Sequence, residues 1–163
     1  MKRIFTLLTA FAVMLSSISA FAAEPDKPGT KLITIQGGYG PGIGAILSGN
    51  IAMANLGAGH LYGGLQLGGY FRHGPTTGVR KIDLSLAPRV MLGFPLGNVV
   101  ELHVGGLAGI DMARFDDLKS SLVFCYGGFG GMRLNLSDSM GIVLEGCYSN
   151  CLPYASAGLA FRF

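Results

Sequence analysis

Alternation with a period of two residues constrains this chain more than any other feature. In 79–94 the apolar residues Ile82, Leu84, Leu86, Val90, Leu92 and Phe94 hold even positions, with Lys81, Asp83, Ser85 and Arg89 between them. In 99–112 Val100, Leu102, Val104, Ala108, Ile110 and Met112 alternate with Glu101, His103 and Asp111. The rhythm runs through 122–136, where Leu122, Phe124, Tyr126, Met132, Leu134 and Leu136 oppose Arg133 and Asn135. Ile142, Leu144 and Tyr148 then oppose Glu145, and Leu159, Phe161 and Phe163 oppose Arg162. Successive side chains of a strand point to opposite faces, so this pattern specifies strands with one apolar and one polar face. Hydropathy alone would suggest a helix in 32–71, which carries no formal charge. Twelve of those forty residues are Gly, and each interior Gly costs a helix roughly 1 kcal/mol relative to Ala.

Turn signals divide the chain into eight strands, at about 31–40, 44–56, 60–72, 79–94, 99–112, 122–136, 140–151 and 154–163. The connections after the second, fourth and sixth are tight: Gly57-Ala58-Gly59, Pro95-Leu96-Gly97-Asn98 and Ser137-Asp138-Ser139. Those after the third and fifth, 73–78 and 113–121, are longer. Short turns at one rim, longer loops at the other and strands of about ten residues are the habit of a transmembrane barrel.

Soluble sandwiches alternate too, so charge placement decides. Arg72, Lys81, Asp83, Arg89, Glu101, Asp111, Arg133, Glu145 and Arg162 all lie opposite the apolar face. Charged residues are only 13% of the chain, about half the usual share. A membrane barrel turns its apolar face to lipid and its polar face inward, and closure removes unpaired edges. Eight strands leave a lumen that side chains can fill. The nine charges, with His103 beside them, are therefore expected to form an internal network. Glycines beside Tyr62, Tyr70 and Phe129 fit the same picture, since they let a tight sheet bend and leave room for rings. A phosphate-cradling loop would need a following helix, and none is foreseen.

The N-terminus has the form of a cleavable signal peptide over 1–22. Met1-Lys2-Arg3 is its basic region, an apolar run follows, and Ala20-Phe21-Ala22 supplies small residues at the cut. Residues 23–30 read as a short, flexible lead-in to a barrel domain spanning 31–163. Lys2 and Arg3 fall in the leader, so the exported part is close to neutral. It carries no basic stripe, which excludes nucleic acid as a partner.

The chain ends Gly158-Leu159-Ala160-Phe161-Arg162-Phe163. This resembles the C-terminal assembly signal of bacterial outer-membrane proteins, carried here by Gly158, Phe161 and Phe163. Ala157 departs from it, because the pattern has a polar residue there. With the leader and eight strands, the exported chain resembles small eight-stranded outer-membrane barrels of the OmpA, OmpX and opacity type. The resemblance implies an all-β, antiparallel up-and-down barrel in a Gram-negative outer membrane, with membrane lipids and the barrel assembly machinery as partners. It says little about activity, since that architecture carries several functions.

Chemistry is sparsely signalled. Some barrels of this size resemble lipid A deacylases, whose His-x-Ser pattern is absent after His60, His73 and His103. His103 shares a face with Glu101 and Asp111 and reads as one more polar group of the interior. Cys125, Cys147 and Cys151 lack zinc-ligand spacing, and export favours a disulfide. A three-residue turn that sets Leu136 opposite Met140 brings Cys125 opposite Cys151, within disulfide reach, and leaves Cys147 free facing Phe129. The expectation is a monomeric barrel with a structural or surface-interaction role, without catalysis, metal or cofactor. The alternatives are a lipid-modifying enzyme and a narrow, porin-like conduit. The loops around 73–78 and 114–119 are the only candidates for binding specificity.

Overall fold

The computed structural model describes residues 26–40, 42–73, 80–115 and 120–163. The leader and residues 74–79 and 116–119 of the two longer loops lie outside these. The described residues form eight strands: β1 (Lys31–Tyr39), β2 (Gly42–Leu56), β3 (Gly59–His73), β4 (Arg80–Leu96), β5 (Val100–Phe115), β6 (Ser121–Asn135), β7 (Met140–Ser149) and β8 (Ala155–Arg162). Each pairs antiparallel with its sequence neighbour, and β8 closes on β1 from Leu32↔Arg162 to Tyr39↔Ala155. Among the described residues the eight strands thus close into a barrel.

The faces are arranged as in a membrane protein. Leu84, Val90, Val104 and Ile110 are about half exposed on the outside, while Asp83, Arg89, Glu101 and Arg133 are buried within. Apolar side chains outward and charges inward would be unfavourable in water and are favourable in a bilayer. This is a transmembrane barrel.

The start of β1 and the end of β8 lie together at one end of the barrel, the terminus end, where Lys31 and Phe163 exchange backbone hydrogen bonds of 3.0 and 2.9 Å. The tight turns gather at this terminus end. Gly57 and Gly97 each take a positive φ, of 67° and 72°, that other residues rarely adopt. Ser137 caps the third turn by accepting the Met140 N–H at 3.1 Å.

The opposite, loop end departs from the sequence reading. β5 runs past the expected 112 to Phe115, so its connection to β6 is shorter than expected. β7 stops at Ser149 rather than 151, because the Ser149 hydroxyl accepts the N–H groups of Cys151 and Leu152, both at 3.0 Å, and turns the chain into the lumen. The Asn150 side chain takes the place of the missing strand. It donates to Phe124 O at 2.7 Å and accepts from Tyr126 N at 3.0 Å, extending the β6 ladder after its partner has left.

The described part of the lead-in, 26–30, is ordered structure. Lys27-Pro28-Gly29-Thr30 forms a turn closed by Thr30 N–H on Lys27 O at 2.9 Å. Pro28 sits at its second position and Gly29, with φ 95°, at its third, the arrangement of a type II turn. The turn sends Asp26 back into the barrel.

Candidate functional site

The lumen is the site the fold builds, and its polar side chains fall into three clusters along the axis. At the terminus end stands Asp26, which sequence reasoning missed. Its carboxylate meets Arg133 Nη2 at 2.6 Å and Arg162 Nε at 2.7 Å. Arg133 Nη2 also reaches Glu101 at 3.1 Å. The Tyr62 hydroxyl lies 2.7 Å from Asp26 and 2.9 Å from Glu101, and its one proton serves one of them at a time. Gly93 makes this possible: a Cβ there would stand 2.8 Å from the Tyr62 ring.

At mid-lumen Arg89 Nη2 donates to Glu145 Oε1 at 2.8 Å, and Nη1 donates to Gln66 Oε1 at 2.8 Å. The guanidinium lies 3.9 Å over the Phe129 ring, a cation–π contact sheltered from water. His103 Nε2 lies 3.1 Å from Glu145 Oε1, and Gln36 donates to the other oxygen at 3.1 Å. Thr34 and Ser48 continue the chain of contacts at 2.7 Å. Gln36, Ser48 and Gln66 are uncharged and belong to no motif. Their signal is parity, since they occupy the inward positions of β1–β3.

Near the loop end Asp83, wholly buried, is held by Arg72 Nε at 3.0 Å and Lys81 Nζ at 2.7 Å, with Asp111 buried beside them. Arg72 also donates to Asn150 O at 2.9 Å. Above them the inturned segment 151–153 fills the mouth. Cys151, Leu152 and Pro153 are all buried, and a Cβ on Gly68 would meet Leu152 at 2.6 Å.

The ten residues expected inside thus come together in these clusters. Cys125 and Cys151 are disulfide-bonded with Cα atoms 5.8 Å apart. They do not face each other in a ladder, because pairing of β6 with β7 ends at Gly127↔Ser149; the inward turn brings Cys151 across. Cys147, opposite Phe129, is free.

Gly158, Phe161 and Phe163 are in or beside β8. A Cβ on Gly158 would run into the Ile35 carbonyl, so close packing of β8 on β1 demands glycine there whatever else that residue signals. His60 Nδ1 lies 2.8 Å from Asn55 Oδ1, and the His73 side chain is outside the described residues. Among the described residues no group of three or more His, Cys, Asp and Glu could hold a metal ion. Of the loop candidates 73–78 and 114–119, residues 74–78 and 116–119 also lie outside them.

Several solved barrels are similar in fold. Ail, the attachment invasion locus protein of Yersinia pestis, matches with a TM-score of 0.54 and 17% identity, over 84% of this chain and 100% of that one. The outer membrane enzyme PagL matches at 0.51 and 18%, over 81% and 98%. Neisserial surface protein A matches at 0.55 and 12%, over 82% and 94%. No protein-family model and no curated protein matches the sequence. Identities this low show a shared fold and leave chemistry open.

Proposed function

We propose that this chain is a monomeric outer-membrane barrel of a Gram-negative envelope, delivered by a cleaved signal peptide, with a structural or surface-interaction role and no catalysis. The terminus end would face the periplasm and the loop end the exterior. One observation carries the reading: the lumen is filled from end to end by paired side chains. Asp26 enters at one end, Arg89 and Glu145 meet in the middle, and Leu152 lies in the other mouth. A conduit needs space where these groups stand.

A deacylase needs a base with a nucleophile beside it. His103 contacts Glu145 and His60 contacts Asn55, and no His here precedes a Ser by two residues. Surface interaction would rest on the loop end; attachment is what the name of Ail gives for that protein.

Two measurements test the proposal together. Purified barrel in planar bilayers should give no stepwise conductance, and lipid A mass spectra should be the same with and without the gene. Steady channel currents would favour the conduit, and a lost acyl chain would favour the enzyme.

A further inference from the structure

The strands alone carry an unbalanced lumen. Arg72, Lys81, Arg89, Arg133 and Arg162 face Asp83, Glu101, Asp111 and Glu145, five positive groups against four negative. At the terminus end two of the positive groups, Arg133 and Arg162, stand with one strand carboxylate, Glu101, which pairs with Arg133. Asp26 is the group that balances them.

Its binding has the features of a ligand site. Three donors from three strands converge on one carboxylate: Tyr62 of β3, Arg133 of β6 and Arg162 of β8. The Asp26 side chain is wholly buried and Arg133 is only 5% exposed. Arg133 also has two further buried nitrogens, Nε and Nη1, without a hydrogen-bond acceptor among the described residues. Donating capacity there exceeds what Asp26 and Glu101 take up. Asp26 belongs to no strand and arrives on a turn held to β2 by Gly29 N–H on Ala52 O at 2.7 Å and Ala52 N–H on Thr30 O at 2.9 Å. The pocket is therefore built by the barrel, and its occupant is carried on a separate arm.

We propose that Tyr62, Arg133 and Arg162 form a carboxylate-binding pocket whose resident ligand is Asp26 of the same chain. When that side chain is absent, the pocket takes a small free carboxylate in its place. Occupancy fastens the N-terminal segment across the closure of β1 on β8, because the pocket includes the last residue of β8.

Chemical rescue tests this on the full exported chain. D26A should lower the urea midpoint by about 1 M or more, the scale expected when one partner of a buried charge cluster is lost. Sodium formate should restore much of that loss in D26A and none in the parent, while sodium chloride at equal ionic strength should not. Adding Arg133→Met to D26A should abolish the formate effect. If D26A does not refold, refolding yield in formate against chloride makes the same comparison. The proposal is overturned if D26A matches the parent, if formate does no better than chloride, or if rescue survives loss of Arg133.

Discussion

Arg89 and Glu145 lie 56 residues apart in sequence and meet at 2.8 Å in the middle of the lumen, Arg89 lying face-on to Phe129. Neither strand neighbours the other in the sheet; the contact spans the barrel. It ties β4 to β7 through the interior, where water cannot substitute for a lost partner.

Glu145→Ala should therefore leave Arg89 buried without its counter-charge, a loss of ~3–5 kcal/mol. Asp138→Ala, in an exposed turn, should change stability by no more than about 0.5 kcal/mol. The double variant Arg89→Met with Glu145→Ala should be less damaging than Glu145→Ala alone, since it removes the stranded charge. Urea unfolding in lipid vesicles measures all three, and equal midpoints for Glu145→Ala and Asp138→Ala would refute the filled lumen.

The disulfide fixes the inturned segment at the loop end. Cys125→Ser should lower stability by about 3.5 kcal/mol, the loop-closure estimate for a separation of 26 residues. It should also raise hydrogen exchange in 149–154 while leaving β1–β5 protected. Non-reducing peptide mapping should label Cys147 alone. Alkylation of Cys125 in the untreated protein would rule the pairing out.

Gly68 and Leu152 offer a narrower test of the same segment. The Cβ of Gly68→Ala would meet Leu152 and the Ser85 hydroxyl, both side chains able to move. Gly68→Ala should loosen 150–154 at a cost of about 1–3 kcal/mol, and Leu152→Ala in the same chain should recover part of it. A double-mutant cycle reads the coupling; strict additivity would place Leu152 elsewhere.

Deleting Phe163 should impair assembly, because the terminal aromatic belongs to the signal that the chain's end resembles. It also removes the reciprocal hydrogen bonds with Lys31 that begin the closing seam. Cell fractionation checks this: heat-modifiable barrel at the parent level in the outer membrane would show that the residue is dispensable.

Alternation was legible because it needs only nearest neighbours. The even positions of β4–β6, among them Leu84, Val104 and Phe124, had to share a face in any strand arrangement. The β6–β7 register was legible for a similar reason, since parity and a three-residue turn leave few pairings open. Asp26 was not legible. Pro28-Gly29 announces a turn, but where a turn delivers the preceding side chain depends on the curvature of strands more than a hundred residues away. Gln36, Ser48 and Gln66 were hidden by neutrality. The uncharged, glycine-rich stretch of β1–β3 forms one wall of the lumen, and its amides and hydroxyls face the charges of β4–β8.

The sequence by itself thus determined the strands, their faces and the sign of each charge, because these follow from local stereochemistry and the two-residue period. Tertiary structure alone decided which charges meet, that β7 ends early and turns inward, and that an arm outside the strands completes the ion pairing. Those outcomes depend on distances across a closed sheet. Closure brings residues together by strand order and stagger, which no local pattern records.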